Sequence, residues 1–98
     1  MNLEIKKDLA SNWFKTLQNS ICDDICKIEK NKTKFKSTTW KRSKSKDEGG
    51  GEYRILQNGK IFEKVGVNFS KVYGKFPKQF QKNIPGAKRD PRFWASGI

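Results

Sequence analysis

The most constraining feature of this chain is a turn dipeptide, Asn58-Gly59, between two strand-like segments. Both residues tolerate positive φ, which makes this pair the most favoured two-residue hairpin turn. We predict a hairpin with strands over about 52–57 and 60–73. The predicted cross-strand pairs are Leu56 with Ile61, Ile55 with Phe62, and Arg54 with Glu63. The first pair is apolar and the last is opposite in charge, so two pairings support this register.

The second strand of this hairpin alternates in side-chain character. Val65, Val67 and Phe69 point one way, whereas Gly66, Asn68 and Ser70 point the other way. Small and polar residues leave room and hydrogen-bonding groups, so this second face is able to line a pocket. It is equally able to face solvent or another strand.

A long amphipathic helix is predicted over about 6–30. Its apolar positions recur at helical spacing and form one narrow stripe. The stripe consists of Phe14, Leu17, Ile21, Ile25 and Ile28, flanked by Trp13 and Cys22. Asp8 and Ser11 are candidate N-terminal caps. We expect the stripe to pack on the sheet.

Two further strands are predicted over about 35–42 and 93–98, and a short helix after Pro77. The polar segment 43–49 is predicted to be a loop. These elements indicate an α+β fold in which the N-terminal helix packs on an antiparallel β-sheet. The strand-like run at the end of the chain predicts that residues 1–98 are one partial domain, the front part of a larger one.

The chain is strongly basic, with 22 Lys and Arg against 10 Asp and Glu and a net charge of +12. Such a charge favours anionic partners such as nucleic acid or a polycarboxylate. Eighteen of the basic residues are Lys, whereas nucleic-acid readers favour Arg. A Lys-rich composition also follows from an AT-rich genome. A small basic module that binds nucleic acid or an acidic partner therefore remains the alternative function.

The cysteines and glycines exclude several classes of site. Cys22 and Cys26 are the only cysteines and the chain has no His, so no metal site is predicted. The two cysteines are predicted to be reduced thiols.

Gly49–Gly51 are not followed by Lys-Ser/Thr or by a helix, which argues against a phosphate-binding loop. A close approach between strands is the expected role of these glycines. No apolar run is long enough to cross a membrane, and a cytoplasmic protein is predicted.

Several motifs resemble oxygen-dependent coproporphyrinogen III oxidases. The segments "FKSTTWKR", "GGGEYRILQNGKIFEKVGVNFSKVYG" and "FWASGI" match that family's pattern of a Trp, a Gly-rich run, an Arg-containing strand and a "FEKxGVNxS" core. The residues that carry the match include Trp40, Gly49–Gly51, Arg54, Gly66-Val67-Asn68 and Ser70. The chain departs from the pattern at Glu48, at Val65 and in its longer, Lys-rich loop before the glycines.

The resemblance implies an enzyme that uses O2, without an organic cofactor, to decarboxylate two propionates of coproporphyrinogen III oxidatively. It also implies a homodimer built on a large antiparallel sheet flanked by helices, with no nucleic-acid partner. The family's catalytic residues are expected beyond Ile98, so no catalytic residue is assigned here and this chain alone is expected to be inactive. The candidates for the substrate cleft are Gly49, Gly50, Gly51, Arg54, Asn68 and Ser70.

Overall fold

A computed structural model describes residues 1–30 and 34–98. Its elements are α1 (Leu3–Glu29), β1 (Lys36–Lys41), β2 (Gly49–Gln57), β3 (Lys64–Lys75), α2 (Lys78–Gln81) and β4 (Arg92–Gly97). The four strands form one antiparallel sheet in the order β1-β2-β3-β4. The predicted α+β fold class, with a helix on an antiparallel sheet, is confirmed.

Helix α1 begins at Leu3, three residues before the predicted start, because Asn2 caps it. The Asn2 side chain accepts a hydrogen bond of 2.9 Å from the Ile5 N–H. The predicted caps are wrong, since Asp8 and Ser11 lie inside the helix. The Ser11 hydroxyl instead donates to the Lys7 carbonyl at 2.9 Å. Lys30 ends the helix in a left-handed conformation with φ 54°.

The face of α1 that meets the sheet is more polar than the predicted stripe. Its most buried residues are Ser11, Gln18, Cys22 and Glu29. Ile28, at one end of the predicted stripe, keeps 51% of its surface exposed. Gln18 is fully buried because its amide donates to the carbonyls of Glu52 and Val67, both at 3.0 Å. A carbonyl in a strand ladder has a second lone pair, which lets a buried side chain bind the sheet backbone.

The β2–β3 hairpin has a different register from the predicted one. Leu56 lies opposite Val65 and Arg54 lies opposite Val67, so the expected pairing of Arg54 with Glu63 is wrong. The connection runs over 58–63, and the Asn58 and Gly59 N–H groups donate to the carbonyls of Glu63 and Phe62. The reversal is thus centred two residues after Asn58-Gly59. Because the pairing is shifted by an even number of residues, every side chain stays on its predicted face of the sheet and the alternation along β3 is preserved.

Glu29 accounts for this displaced turn. Its buried carboxylate accepts hydrogen bonds from the N–H groups of Lys60, Ile61 (3.1 Å) and Phe62 (3.0 Å). Three consecutive amides that would otherwise need water converge on one anion. A Cβ on Gly59 would lie 2.6 Å from the same carboxylate, so a larger residue there would push the carboxylate away from these amides.

The sheet has two different faces. The helix-covered face carries Val65, Val67, Phe69, Lys71 and Tyr73 of β3, and the open face carries Gly66, Asn68, Ser70, Val72 and Gly74. The face that carries Phe69 is the one that α1 covers, because the ammonium of Lys15 on α1 lies 5.4 Å from the centre of the Phe69 ring. The apolar core beneath it centres on Leu56, which is fully buried, and Val67.

Candidate functional site

A cleft of about 690 Å³ opens at the end of the sheet where β1, the start of β2 and the end of β3 meet. Helix α1 contributes Lys15 to its wall, and the β1–β2 connection covers one side. The lining residues are Lys15, Thr39, Trp40, Lys41, Ser43–Asp47, Gly49–Glu52, Phe69, Lys71 and Tyr73. Five lysines stand against two acidic residues, so the cleft is electropositive.

The floor of the cleft is built on Gly50. In the register of the sheet, Gly50 lies between Lys41 on β1 and Lys71 on β3. The two lysines therefore flank a position without a side chain, roughly 10 Å apart at two strand spacings. A Cβ on Gly50 would overlap the Trp40 carbonyl oxygen. The glycine thus permits a close strand approach and leaves no side chain between the positions of Lys41 and Lys71.

The wall formed by α1 is fixed by a network around Glu52. The Glu52 carboxylate binds the Lys15 ammonium, the Ser37 hydroxyl and the Arg54 guanidinium, the last at 2.8 Å. Burial lowers the pKa of the Lys15 ammonium, and the positive charge of Arg54 lowers that pKa further. Because Glu52 is already shared by three donors, its charge is largely compensated within the protein.

The loop that covers the cleft is tied to β3. The Tyr73 hydroxyl donates to the Asp47 carboxylate, and this hydrogen bond raises the pKa of Tyr73. Arg42 donates to the Tyr73 carbonyl at 2.9 Å and to Glu48 at 3.0 Å. The guanidinium of Arg42 also stacks 4.8 Å from the centre of the Phe93 ring. These contacts hold residues 42–48 against the sheet.

The structure does not bring the six predicted cleft residues together. Gly49, Gly50 and Gly51 line the cleft. Arg54 lies on the helix-covered face in its ion pair with Glu52, and does not line the cleft. Asn68 and Ser70 lie on the open face. A substrate contact for any of the six stays a prediction.

The two thiols lie on α1 away from the cleft. Cys22 is buried, and this burial raises its pKa more than the neighbouring Arg54 lowers it. Cys26 is partly exposed, and both thiols are free.

Within residues 1–30 and 34–98, no group of three His, Cys, Asp or Glu residues is placed to hold a metal ion. No helix in the described part of the chain is long and apolar enough to cross a membrane.

A second, larger cleft of about 1170 Å³ runs between the first turns of α1 and the ends of β3 and β4. It shares Asp47, Lys71 and Tyr73 with the first cleft. Its five basic residues face four acidic ones, among them Glu4, Asp8 and Asp90. The first cleft is therefore the better candidate for an anionic ligand.

Sequence reasoning missed the residues that give the cleft its charge. Lys41 and Lys71 are thirty positions apart in the chain, and only the register of β1, β2 and β3 places them on either side of Gly50. Lys15 was hidden on the polar side of a predicted helix. The alternation on β1 and β3 was the available signal, because it places Lys41 and Lys71 on definite faces once the strands are paired.

Comparison with known proteins places the chain in a family. The coproporphyrinogen III oxidase family profile matches residues 9–98. Oxygen-dependent coproporphyrinogen-III oxidases from Rickettsia felis and Rickettsia akari are 42% and 41% identical over 94% of this chain. The protein from Rickettsia africae is 40% identical over the whole chain. The chain spans 34–36% of the length of these relatives. It belongs to the coproporphyrinogen III oxidase family.

Proposed function

We propose that this chain forms part of an oxidase that converts coproporphyrinogen III to protoporphyrinogen IX. The observation that carries the proposal is the family match over residues 9–98, with 40–42% identity to relatives named oxygen-dependent coproporphyrinogen-III oxidases. In this reaction two propionate side chains each lose CO2 and two electrons and become vinyl groups. Molecular oxygen accepts the electrons, and no organic cofactor takes part.

The electropositive cleft supports this proposal chemically. The substrate carries four carboxylates, and ammonium groups bind carboxylates through short, charge-assisted hydrogen bonds. The cleft combines positive charge with aromatic surface, because Phe69 and Tyr73 share the face of β3 that carries Lys71. No histidine is present anywhere in the chain. We therefore assign this chain to substrate binding and scaffold, and place the groups that move protons in the remaining two thirds of the family's length.

The proposed enzyme works as a cytoplasmic homodimer, and the 98-residue chain alone has no turnover. A chimera tests the oxidase activity and the inactivity of the isolated chain: residues 1–98 replace the matching third of the Rickettsia felis protein. Coproporphyrinogen III is supplied in air and under argon, and the oxidised product is measured by porphyrin fluorescence. We expect protoporphyrin from the chimera in air only, and none from the 98-residue chain.

The Rickettsia felis protein without replacement is the control for the assay. A folded, dimeric chimera that leaves coproporphyrinogen III unchanged in air would contradict the proposed activity. Turnover by the 98-residue chain would contradict the statement that this chain alone is inactive. Retention on generic double-stranded DNA with a steep loss of affinity in salt would favour the basic binding module instead.

A further inference from the structure

The arrangement of Lys41, Gly50 and Lys71 suits an anionic ligand, because two basic residues flank a position without a side chain. Lys41 and Lys71 lie on the same face of the sheet, on the two strands that flank β2, and Gly50 is the residue between them. In the part of the chain that the structure describes, neither ammonium has a carboxylate within ion-pair distance. The nearest acidic residues of the cleft are already engaged, Glu52 by Lys15 and Arg54, and Asp47 by Tyr73.

The surroundings of the pair favour a flat ligand over a compact ion. Gly50 leaves a strip of bare backbone between the lysines, and Phe69 and Tyr73 lie on the same face of β3 as Lys71. The cleft volume of about 690 Å³ is in the range of sites for ligands far larger than phosphate. Two separated ammonium groups match two separated carboxylates better than one small ion.

We propose that Lys41 and Lys71 bind two carboxylates of one polycarboxylated ring compound whose ring lies over Gly50. The inference rests on the proposed function, because coproporphyrinogen III is such a compound, and it assigns two of its propionates to this chain. Lys44 and Lys46 in the loop above add long-range attraction, whereas Lys15 is held by Glu52 and shapes the wall.

Fluorescence titration with coproporphyrin III, the stable oxidised ring, tests the site on the 98-residue chain. We expect the double variant Lys41→Gln/Lys71→Gln to bind roughly tenfold or more weakly, since it loses two charge-assisted contacts. Lys41→Arg/Lys71→Arg keeps both charges and should retain most of the affinity. The matched control is Lys78→Gln/Lys88→Gln, which removes the same charge from two exposed positions outside the cleft and should bind like the parent.

Two ligand-side probes separate carboxylate recognition from general attraction. The tetramethyl ester of coproporphyrin III lacks the charges, and its binding should not respond to the Gln variants. Tricarballylate should displace coproporphyrin III at lower concentration than inorganic phosphate does. Equal weakening by both Gln double variants, or phosphate competing as well as tricarballylate, would overturn the site.

Folding of the variants is checked by thermal melting. Removal of two like charges should leave the melting temperature of Lys41→Gln/Lys71→Gln equal to or above that of the parent, so weak binding would not reflect unfolding. The outcomes also separate this inference from the proposed function. An active chimera whose porphyrin binding ignores Lys41 and Lys71 would refute only the site. Lysine-dependent binding with an inactive chimera would refute only the oxidase activity.

Discussion

At the scale of single residues, buried polar side chains join the helix to the sheet. Gln18 donates to two strand carbonyls, and Glu29 accepts from three consecutive amides of the β2–β3 connection. Such groups contribute little net stability when paired but are costly when a partner is removed. The stability of this chain therefore depends more on a few polar contacts than the stability of a domain with a large apolar core does.

Substitution Glu29→Gln should destabilise the protein by about 1–3 kcal/mol, because a neutral amide accepts fewer of the three N–H bonds and leaves a donor buried. Urea denaturation followed by circular dichroism measures the change. Glu48→Gln is the control, since Glu48 pairs with Arg42 near the surface and its loss should cost about 0–1 kcal/mol. Equal effects of the two variants would show that Glu29 does not hold the connection.

The two thiols should react at different rates. Iodoacetamide at pH 8 should modify Cys26 first, because Cys22 is buried and its pKa is raised. Peptide mass spectrometry measures both sites, and denatured protein, in which the rates should converge, is the control. Faster labelling of Cys22 in the folded state would contradict the placement of α1.

The raised pKa of Cys22 also predicts that the stability of the protein falls as pH rises through 9.0, since the unfolded thiol ionises before the folded one.

At the scale of secondary-structure elements, sequence periodicity was a good guide to type and face but not to register. Alternation along β3 predicted which residues share a face, and Asn58 does adopt the left-handed conformation that a turn residue tolerates, with φ 60°. The turn nevertheless formed two residues later, because Glu29, thirty-one positions before Lys60, binds the amides there. No local pattern in the sequence encodes such a distant contact. For the same reason, the sequence did not predict that Lys41 and Lys71 lie on either side of Gly50.

The start of β2 should be intolerant of any side chain. Gly49 has φ 81°, and a Cβ there would overlap the Lys71 carbonyl. We expect Gly49→Ala to cost about 1–3 kcal/mol from backbone strain alone. Gly66→Ala is the matched control, since a Cβ on Gly66 would meet nothing closer than 3.8 Å. Chemical denaturation of both variants measures the difference, and a Gly49→Ala protein as stable as Gly66→Ala would disprove the close approach.

At the scale of the whole molecule, the chain is extended for its length. Its radius of gyration is 17.1 Å, against about 13 Å for a compact chain of this size. Helix α1 covers one face of the sheet, and no described element packs across the open face. Apolar side chains there include Trp40 and Tyr53, which keep 36% and 37% of their surface exposed. Apolar faces of this kind favour association.

The isolated 98-residue chain should therefore self-associate or be only marginally stable. Sedimentation velocity over a hundredfold range of concentration should show species larger than a monomer, and the melting temperature should rise with concentration. Polar substitutions Trp40→Ser and Tyr53→Ser on the open face should shift the chain towards monomer. A compact monomer that melts well above about 50 °C, independent of concentration, would contradict this expectation.

The carboxylate of Glu29 also dictates an order of events during synthesis. Helix α1 leaves the ribosome before the β2–β3 hairpin, yet the partners of its buried Gln18 and Glu29 lie between Glu52 and Val67. The helix cannot dock until that hairpin has emerged and closed, so its amphipathic surface stays uncovered for the time needed to translate about forty further residues, a few seconds at ordinary elongation rates. Apolar surface exposed during folding promotes aggregation, so slow codons before Val67, which lengthen this interval, should lower the yield of folded protein.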